Sequence, residues 1–463
     1  MKPLWSGAEL KLATRGRVVA PPGTSFAAWG VSIDTRSLRA GDVFIALVAE
    51  GDGHRFATQA LARYASCAVV HRTEGLGLPE DGPLLVVDDT LRALHALGAA
   101  GRARCGGRVV AVTGSVGKTT TKEMLRAALS AFGPTHAAQA SHNNQWGVPL
   151  TLARLPRDAA YCVVEIGMNH AGEIEPLARL ARPHVAVVTA VASAHIGNLG
   201  SLEAIADEKA SILRGVEPGG AAVLPADSPF FAGMADAAPG LRVLGFGRAE
   251  SADARLLAVR GDAEGSDVDA VVAGTRVRFR LRAPGGHMAL DAAAALAACA
   301  ALGLDPARAA GGLEGFSPVA GRGARRPILG GGAVLLDESY NASAASVRAA
   351  LAVLRELPGR RRVAVLGDML ELGEFGPEEH SGLAPAVAAS TDVLYACGPL
   401  MRHLFARVPE RLRGGHAPDS AALAPLVAAA VRPGDAVLVK GSLGSRMRLV
   451  VEAIEGRQPG DGA

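Results

Sequence analysis

Cysteine is scarce in this chain of 463 residues. There are five, at Cys67, Cys105, Cys162, Cys299 and Cys397, odd in number and far apart. No CxxC pair occurs, which argues against a zinc ribbon, and scattered thiols fit a reducing compartment. Net charge is nearly absent too. Lys and Arg number 48 against 45 Asp and Glu, leaving +3, too little to argue for nucleic acid or an anionic membrane surface. The arginine clusters Arg322 to Arg326 and Arg360 to Arg362 read as solvated loops or nucleotide contacts. Long apolar runs are missing as well. The longest, Ala292 to Leu304, is alanine-dominated and too short to span a bilayer. The N-terminal MKPLWSGAELKLATRG carries charges where a signal peptide has an apolar core. A cytoplasmic protein with no stable membrane insertion is expected. No internal repeat or low-complexity linker is seen, and 57 Gly with 27 Pro stay below the level of disordered chains.

What is present is a globular composition, 49% hydrophobic and 20% charged, long enough for two or three domains with cores of their own. The central stretch is VVAVTGSVGKTTTKEM, Val109 to Met124. Val109 to Val112 reads as a buried parallel strand, Thr113 to Gly117 as a tight loop, and Lys118 to about Leu129 as a helix. Strand, glycine loop, Lys-Thr and helix make a P-loop. Its backbone N–H groups would turn onto phosphate oxygens, Lys118 would neutralise phosphate charge, and Thr119 would hold Mg²⁺. The first glycine of the general pattern is replaced by Val112, so Gly114 supplies the turn.

Apolar runs at Val43 to Leu47, Ala68 to Val70 and Leu84 to Val87, with helices His54 to Tyr64 and Leu91 to Ala103, make residues 1–104 a small α/β domain. Residues 105–318 read as a doubly wound parallel sheet, with strands Val109 to Val112, Tyr161 to Ile166, Val185 to Val191 and Ala221 to Leu224. An antiparallel patch is expected over 241–282, then helices His287 to Leu302 and Asp305 to Gly311. Residues 319–463, with strands Val334 to Asp337, Val363 to Leu366, Val393 to Ala396 and Ala436 to Val439, form a Rossmann-like α/β layer. Pro318 to Arg326 is the hinge candidate. The expectation is an α/β protein of three domains.

Glu165 ends the strand YCVVEIG and His195 follows the strand VAVVTAV. Ligands gather beyond the carboxyl ends of parallel strands, so both should meet the P-loop at one edge, where they suit a Mg²⁺. Ser201 to Leu213 reads as a helix capped by Ser201, with Leu202, Ile205 and Ile212 as its apolar stripe. Lys209 falls on that stripe. It is either a lysine snorkelling at the helix edge or a carbamylated lysine whose new carboxylate binds a second Mg²⁺. In SHNNQWGVPLTL, Asn143 and Asn144 either orient a phosphate or substrate carboxylate or serve turn chemistry alone.

Taken together, TGSVGKTTTKEM (113–124), NNQWGVPLTL (143–152), EIGMNHAGEI (165–174), AHIGNLGS (194–201), DESYNAS (337–343), VLGDMLELG (365–373) and VKGSLGSRM (439–447) resemble the Mur ligases of peptidoglycan synthesis over nearly the whole chain. TTTKEM, YNA and LGDMxELG are similar to the branch that joins D-alanyl-D-alanine to UDP-N-acetylmuramoyl-tripeptide. The D-N-P-R motif of the branch adding the third residue is not found. The resemblance implies ATP as co-substrate held by Gly114, Ser115, Val116, Gly117, Lys118, Thr119 and Thr120, with Tyr340 and Asn341 on adenine and ribose and Arg322 on the phosphates. It implies Mg²⁺, two ions in all, at Thr119, Glu165, His195 and a carbamylated Lys209, with Lys118, Glu165, His195 and Lys209 catalytic. Substrate would meet Asn143, Asn144, Asp337 and Lys440, and the uridine nucleotide Ser32, Asp34, Thr35, Arg36, Asp52, Gly53 and His54. The chain is expected to act as a monomer. Three positions depart from the family: Asp291 stands where an asparagine near the adenine is expected, Ser343-Ala344 replaces Asn-Pro, and the loop before Asp52 is short. A sister Mur or folylpolyglutamate-type ligase, or a nucleotide-gated switch without chemistry, are the alternative functions.

Overall fold

The computed structural model describes residues 2–20, 26–49, 51–77, 82–138, 141–262 and 264–456. Among them lie three large sheets and a two-stranded ribbon. The first sheet runs Arg17–Val19, Leu84–Val86, Cys67–Val70, Asp42–Ile45, Gly30–Ser32. All its pairings are parallel except that of the edge strand Arg17–Val19. The stretch expected as a helix from His54 to Tyr64 is a 3₁₀ turn, Gly53–Phe56, and a helix, Ala57–Ala62. Asp52 accepts the N–H of His54 there, which favours the tighter turn at the helix start.

The second sheet has nine strands. Their order is Thr275–Leu281, Ser266–Val272, Ala254–Gly261, Arg242–Gly247, Ala221–Pro225, Val185–Val188, Arg108–Thr113, Tyr161–Glu165, Thr135–Ala137. Only the two pairings among the first three strands are antiparallel. The expected antiparallel patch is therefore present from Ala254 onward, but as an extension of the parallel sheet. Arg242–Gly247 differs from the expectation: it pairs parallel with Ala221–Pro225. The strand read as reaching Val191 stops at Val188, and residues 189–195 leave the sheet as a loop.

The alanine run, too short to span a bilayer, is the inside of the central unit. Helix Gly286–Ala301 buries Ala292 to Cys299 almost completely. A helix apolar on all sides belongs in a core. It packs against the P-loop helix Lys118–Ser130 in one cluster with Met124, Leu125, Ala128 and Leu129. That contact fixes the height of the phosphate loop above the sheet. Among the described residues, no helix is long and apolar enough to cross a membrane.

The third sheet runs Ala324–Ile328, Ala333–Glu338, Asp435–Lys440, Arg361–Gly367, Val393–Cys397, Arg413–Ala417, parallel but for its first strand. Residues 324–326 of the hinge candidate thus belong to a strand; Gly321 and Gly323, both at positive φ, carry the turn. The five cysteines are buried and free.

The Ser201 helix also departs in detail. Ser201 caps it as expected, accepting the N–H of Ala204, but the α-helix is Leu202–Ala210 and a 3₁₀ turn, Ser211–Gly215, follows. Leu202 is exposed rather than part of the buried stripe. It is the first helical residue, where the backbone has just left solvent.

Candidate active site

The P-loop forms as its residues require. Gly114 and Gly117 have φ of 149° and 82°, and a Cβ on either would overlap Thr189 or Asp291. Gly117 starts the helix without a side-chain cap, so the first N–H groups remain for an anion. The Ser115 hydroxyl donates to the Ala192 carbonyl at 2.9 Å and accepts its N–H at 3.0 Å. The loop leading to His195 is therefore tied directly to the phosphate loop.

Lys118 donates to the carbonyl of Gly114 at 2.7 Å. Burial lowers its pKa, while Glu165 and Glu371 counter and Arg322 adds to the effect. Thr119 donates to Glu165 Oε2 at 2.9 Å and Asn143 to Oε1 at 2.8 Å. Lys122, fully buried, stands 3.9 Å from Glu165 and donates to the Ala138 carbonyl at 2.8 Å. Glu165 is thus a buried carboxylate held by a hydroxyl, an amide and a nearby ammonium. His195 has φ 64°, left-handed, and its Nδ1 lies 2.7 Å from Glu371 Oε2 as an ion-pair contact off the hydrogen-bond line.

One cavity of about 580 Å³ lies over these groups. From the central unit it is lined by Ser115, Val116, Gly117, Lys118, Thr120, Asn143, Asn144, Glu165 and His195; from the C-terminal unit by Arg322, Tyr340, Asn341 and Lys440. Arg322 stacks on the Tyr340 ring at 4.0 Å and donates to Ser141 at 2.8 Å, spanning the two units. Lys440 donates to Glu338 at 3.0 Å and to the Asn341 carbonyl at 2.9 Å.

Of the residues expected in the central and C-terminal units, four do not line the cavity: Gly114, Thr119, Asp337 and Lys209. Gly114 and Thr119 shape it from beneath. Asp337 is buried and accepts from Gly321 N–H, Arg326 and Ser339, so it braces the turn at Gly321. Lys209 is 1% exposed, which excludes the snorkelling alternative. Burial lowers its pKa far below the usual lysine range; Lys118 pushes the same way and Glu208 opposes. The amine is therefore neutral at lower pH than an ordinary lysine. Asp291 lines the cavity against Gly117, and burial raises its pKa to about 8 despite the neighbouring Thr121 hydroxyl.

Ser32, Asp34, Thr35, Arg36, Asp52, Gly53 and His54 lie apart from this cavity. They follow the parallel strands Gly30–Ser32 and Asp42–Ile45, so both motifs share one sheet edge. Asp34 pairs with Arg36 at 2.7 Å; Asp52 pairs with His54 at 2.7 Å and with Arg72. His54 Nε2 accepts the N–H of His71, which fixes a neutral tautomer with the proton on Nδ1. Glu50 of the short loop before Asp52 lies outside the described residues.

Sequence reasoning missed His287, Glu338 and Glu371, all on the cavity wall. Two lay in quoted motifs, DESYNAS and VLGDMLELG, but no pattern in one sequence shows which of those side chains turns inward.

Among the described residues, no cluster of three or more His, Cys, Asp or Glu makes a ready metal cage. Mg²⁺ does not need one, since it keeps waters and phosphate oxygens among its ligands. The paired Thr119 hydroxyl and Glu165 carboxylate fit such an ion.

Known proteins resemble this chain over most of its length. Residues 112–299 match the Mur ligase middle domain, and residues 325–443 match the Mur ligase glutamate ligase domain. The UDP-N-acetylmuramoyl-tripeptide--D-alanyl-D-alanine ligase of Synechocystis is 40% identical over 366 residues, 78% of this chain and 76% of that protein. The crystal structure of MurF from Acinetobacter baumannii superposes with a TM-score of 0.87 at 30% identity, covering 98% of this chain and 99% of that one. MurF from Thermotoga maritima in complex with ADP gives 0.78 at 27% identity, over 92% and 97%.

Proposed function

The chain belongs to the Mur ligase family, and from that premise we propose that it joins D-alanyl-D-alanine to the terminal carboxylate of UDP-N-acetylmuramoyl-tripeptide at the expense of ATP. The observation that carries this reading is the convergence, on one cavity, of a P-loop with Glu165 and His195 from the central sheet and Arg322, Tyr340, Asn341 and Lys440 from the C-terminal sheet. A nucleotide switch has no use for a second wall of this kind. Residues 105–318 hold ATP in this reading, 319–463 close over it, and 1–104 hold the uridine nucleotide at the edge carrying Ser32 to Arg36 and Asp52 to His54.

Mechanistically, the P-loop N–H groups and Lys118 take the phosphate charge. The tripeptide carboxylate attacks the γ-phosphorus, the bond to ADP breaks, and an acyl phosphate forms. Lys118 leaves the Gly114 carbonyl for the phosphate, exchanging a neutral acceptor for a charged one. The dipeptide amine then attacks the carbonyl carbon and phosphate departs. Closure of the C-terminal wall keeps water from the acyl phosphate. Thr119 and Glu165, with His195, would hold a Mg²⁺, and Lys209, carbamylated on its neutral amine, a second. Such ions neutralise charge on phosphate oxygens. The cavity is complete in one chain, which supports a working monomer, and its nucleotide substrates support a cytoplasmic site of action.

The test is phosphate release with ATP, Mg²⁺ and UDP-muramoyl-tripeptide, with D-Ala-D-Ala or single amino acids as acceptor. Release that needs the dipeptide, with a product heavier by it, is expected. Release with another amine moves the chain to a sister ligase.

A further inference from the structure

Most acidic groups of the cavity are spoken for. Glu165 is held by Thr119 and Asn143, Glu338 by Lys440, and Glu173 by the N–H of Asn169. Glu371 is different. It is half-exposed, with Oε2 against His195 and Oε1 accepting no hydrogen bond from the described residues. Its loop is pinned on both sides. Met369 N–H donates to buried His380 at 2.9 Å, Leu370 N–H to Ser442 at 2.9 Å, and Asp368 accepts the N–H of Met401 at 2.8 Å. Glu371 itself is left-handed, φ 65°, which a side chain rarely adopts without reason. Its carbonyl accepts the N–H of Gly197 at 3.2 Å, and a Cβ on Gly197 would lie 2.5 Å from Gly373 N. The two units meet here backbone to backbone, and the contact carries a carboxylate from the C-terminal unit to the phosphate end of the cavity.

That placement works against the anions of the reaction. ATP, the tripeptide carboxylate and the acyl phosphate are all repelled by it. One organic reactant arrives as a cation, the ammonium of the acceptor dipeptide. Next to Glu371 the wall turns apolar: Leu370 and Leu443 line the cavity while 40% and 64% exposed, beside Ala345 and Ala349. Exposed leucines at a cavity mouth suit small methyl groups. Resting on the ligase reading above, we propose that Glu371 binds the ammonium of the incoming dipeptide, which gives one proton to water so that the freed lone pair on its nitrogen faces the carbonyl carbon of the acyl phosphate, with Leu370 and Leu443 beside its methyl groups.

Hydroxylamine separates the half-reactions, because it is uncharged near neutral pH and captures an acyl phosphate as a hydroxamate without an ammonium site. The wild-type chain with ATP, Mg²⁺ and UDP-muramoyl-tripeptide should form hydroxamate with hydroxylamine and pentapeptide with D-Ala-D-Ala. If it forms neither, the ligase reading itself fails, whatever Glu371 does. If it forms both, Glu371→Gln should keep hydroxamate formation within about threefold while the KM for D-Ala-D-Ala rises about ten- to hundredfold, the loss expected for a charged hydrogen bond. Glu371→Asp should recover part of that KM. Hydroxamate formation lost together with ligation, or restored only by extra Mg²⁺, would assign Glu371 to phosphoryl transfer and overturn the proposal. So would an unchanged KM for the dipeptide.

Discussion

The two walls of the cavity are built in opposite ways. On the central wall, the charged groups are compensated before any substrate arrives: Lys118 by the Gly114 carbonyl, Glu165 by Thr119 and Asn143. Each sits on or just past the end of a parallel strand, where backbone geometry already aims it. The C-terminal wall adds separated loops, around Arg322, Tyr340, Glu371 and Leu443, to the strand-end pair Glu338 and Lys440, and it leaves leucines and half a carboxylate open. Phosphate chemistry is common to many enzymes and needs a preorganised site. Acceptor choice is particular to one, and in our proposal it falls to these loops.

The sharpest break in that comparison is Lys118→Ala. It should lower kcat by about 10³-fold or more with the melting temperature little changed, since the lysine serves phosphate charge and not the core. Normal turnover would remove the central wall from the chemistry. Lys209→Ala should be comparably inactive and partly rescued by short carboxylic acids, while Lys209→Met folds at least as stably because no buried amine remains to desolvate. Full activity in Lys209→Ala would end the carbamate idea.

Variants of the opposite wall should act on binding more than on chemistry. Arg322→Ala removes the stack on Tyr340 and the bond to Ser141. The KM for ATP should rise about tenfold with a smaller change in kcat. An equal fall in kcat and kcat/KM would place Arg322 in the transition state and erase the contrast.

The smallest effect is expected at Asp291→Asn. The folded chain holds the Asp291 proton up to about pH 8, whereas an unfolded aspartate releases it near pH 4. The group's contribution to stability is therefore full below about pH 4 and is lost as pH rises through 8. Asparagine removes that dependence. Thermal melts should show Asp291→Asn raising stability by a few degrees above pH 8 and by less at pH 5. Equal gains at both would mean the carboxyl is ionised throughout.

Legibility follows the same division. Strand Arg108–Thr113 and helix Lys118–Ser130 lie where β-branched runs and the glycine loop predict, because each signal is local. The sequence does not separate Arg242–Gly247 from the antiparallel strands after it. It holds two glycines and is identified as a central strand only by its partner Ala221–Pro225. Periodicity alone puts Leu202 on the buried stripe, yet at the helix start it is 36% exposed. Helical spacing leaves Lys209 between two alternatives, because it gives a direction and not a depth.

The amino-acid sequence by itself determined the P-loop, the α/β layering and the strand-end position of Glu165, since these rest on contacts among near neighbours and on the two-residue and 3.6-residue periods of the backbone. Only the tertiary structure decided that Lys209 is sealed from water, that Asp291 presses on Gly117, and that Glu371 reaches His195 across 176 residues of chain. Burial and long-range ion pairs depend on how separate sheets pack, and no local period carries that.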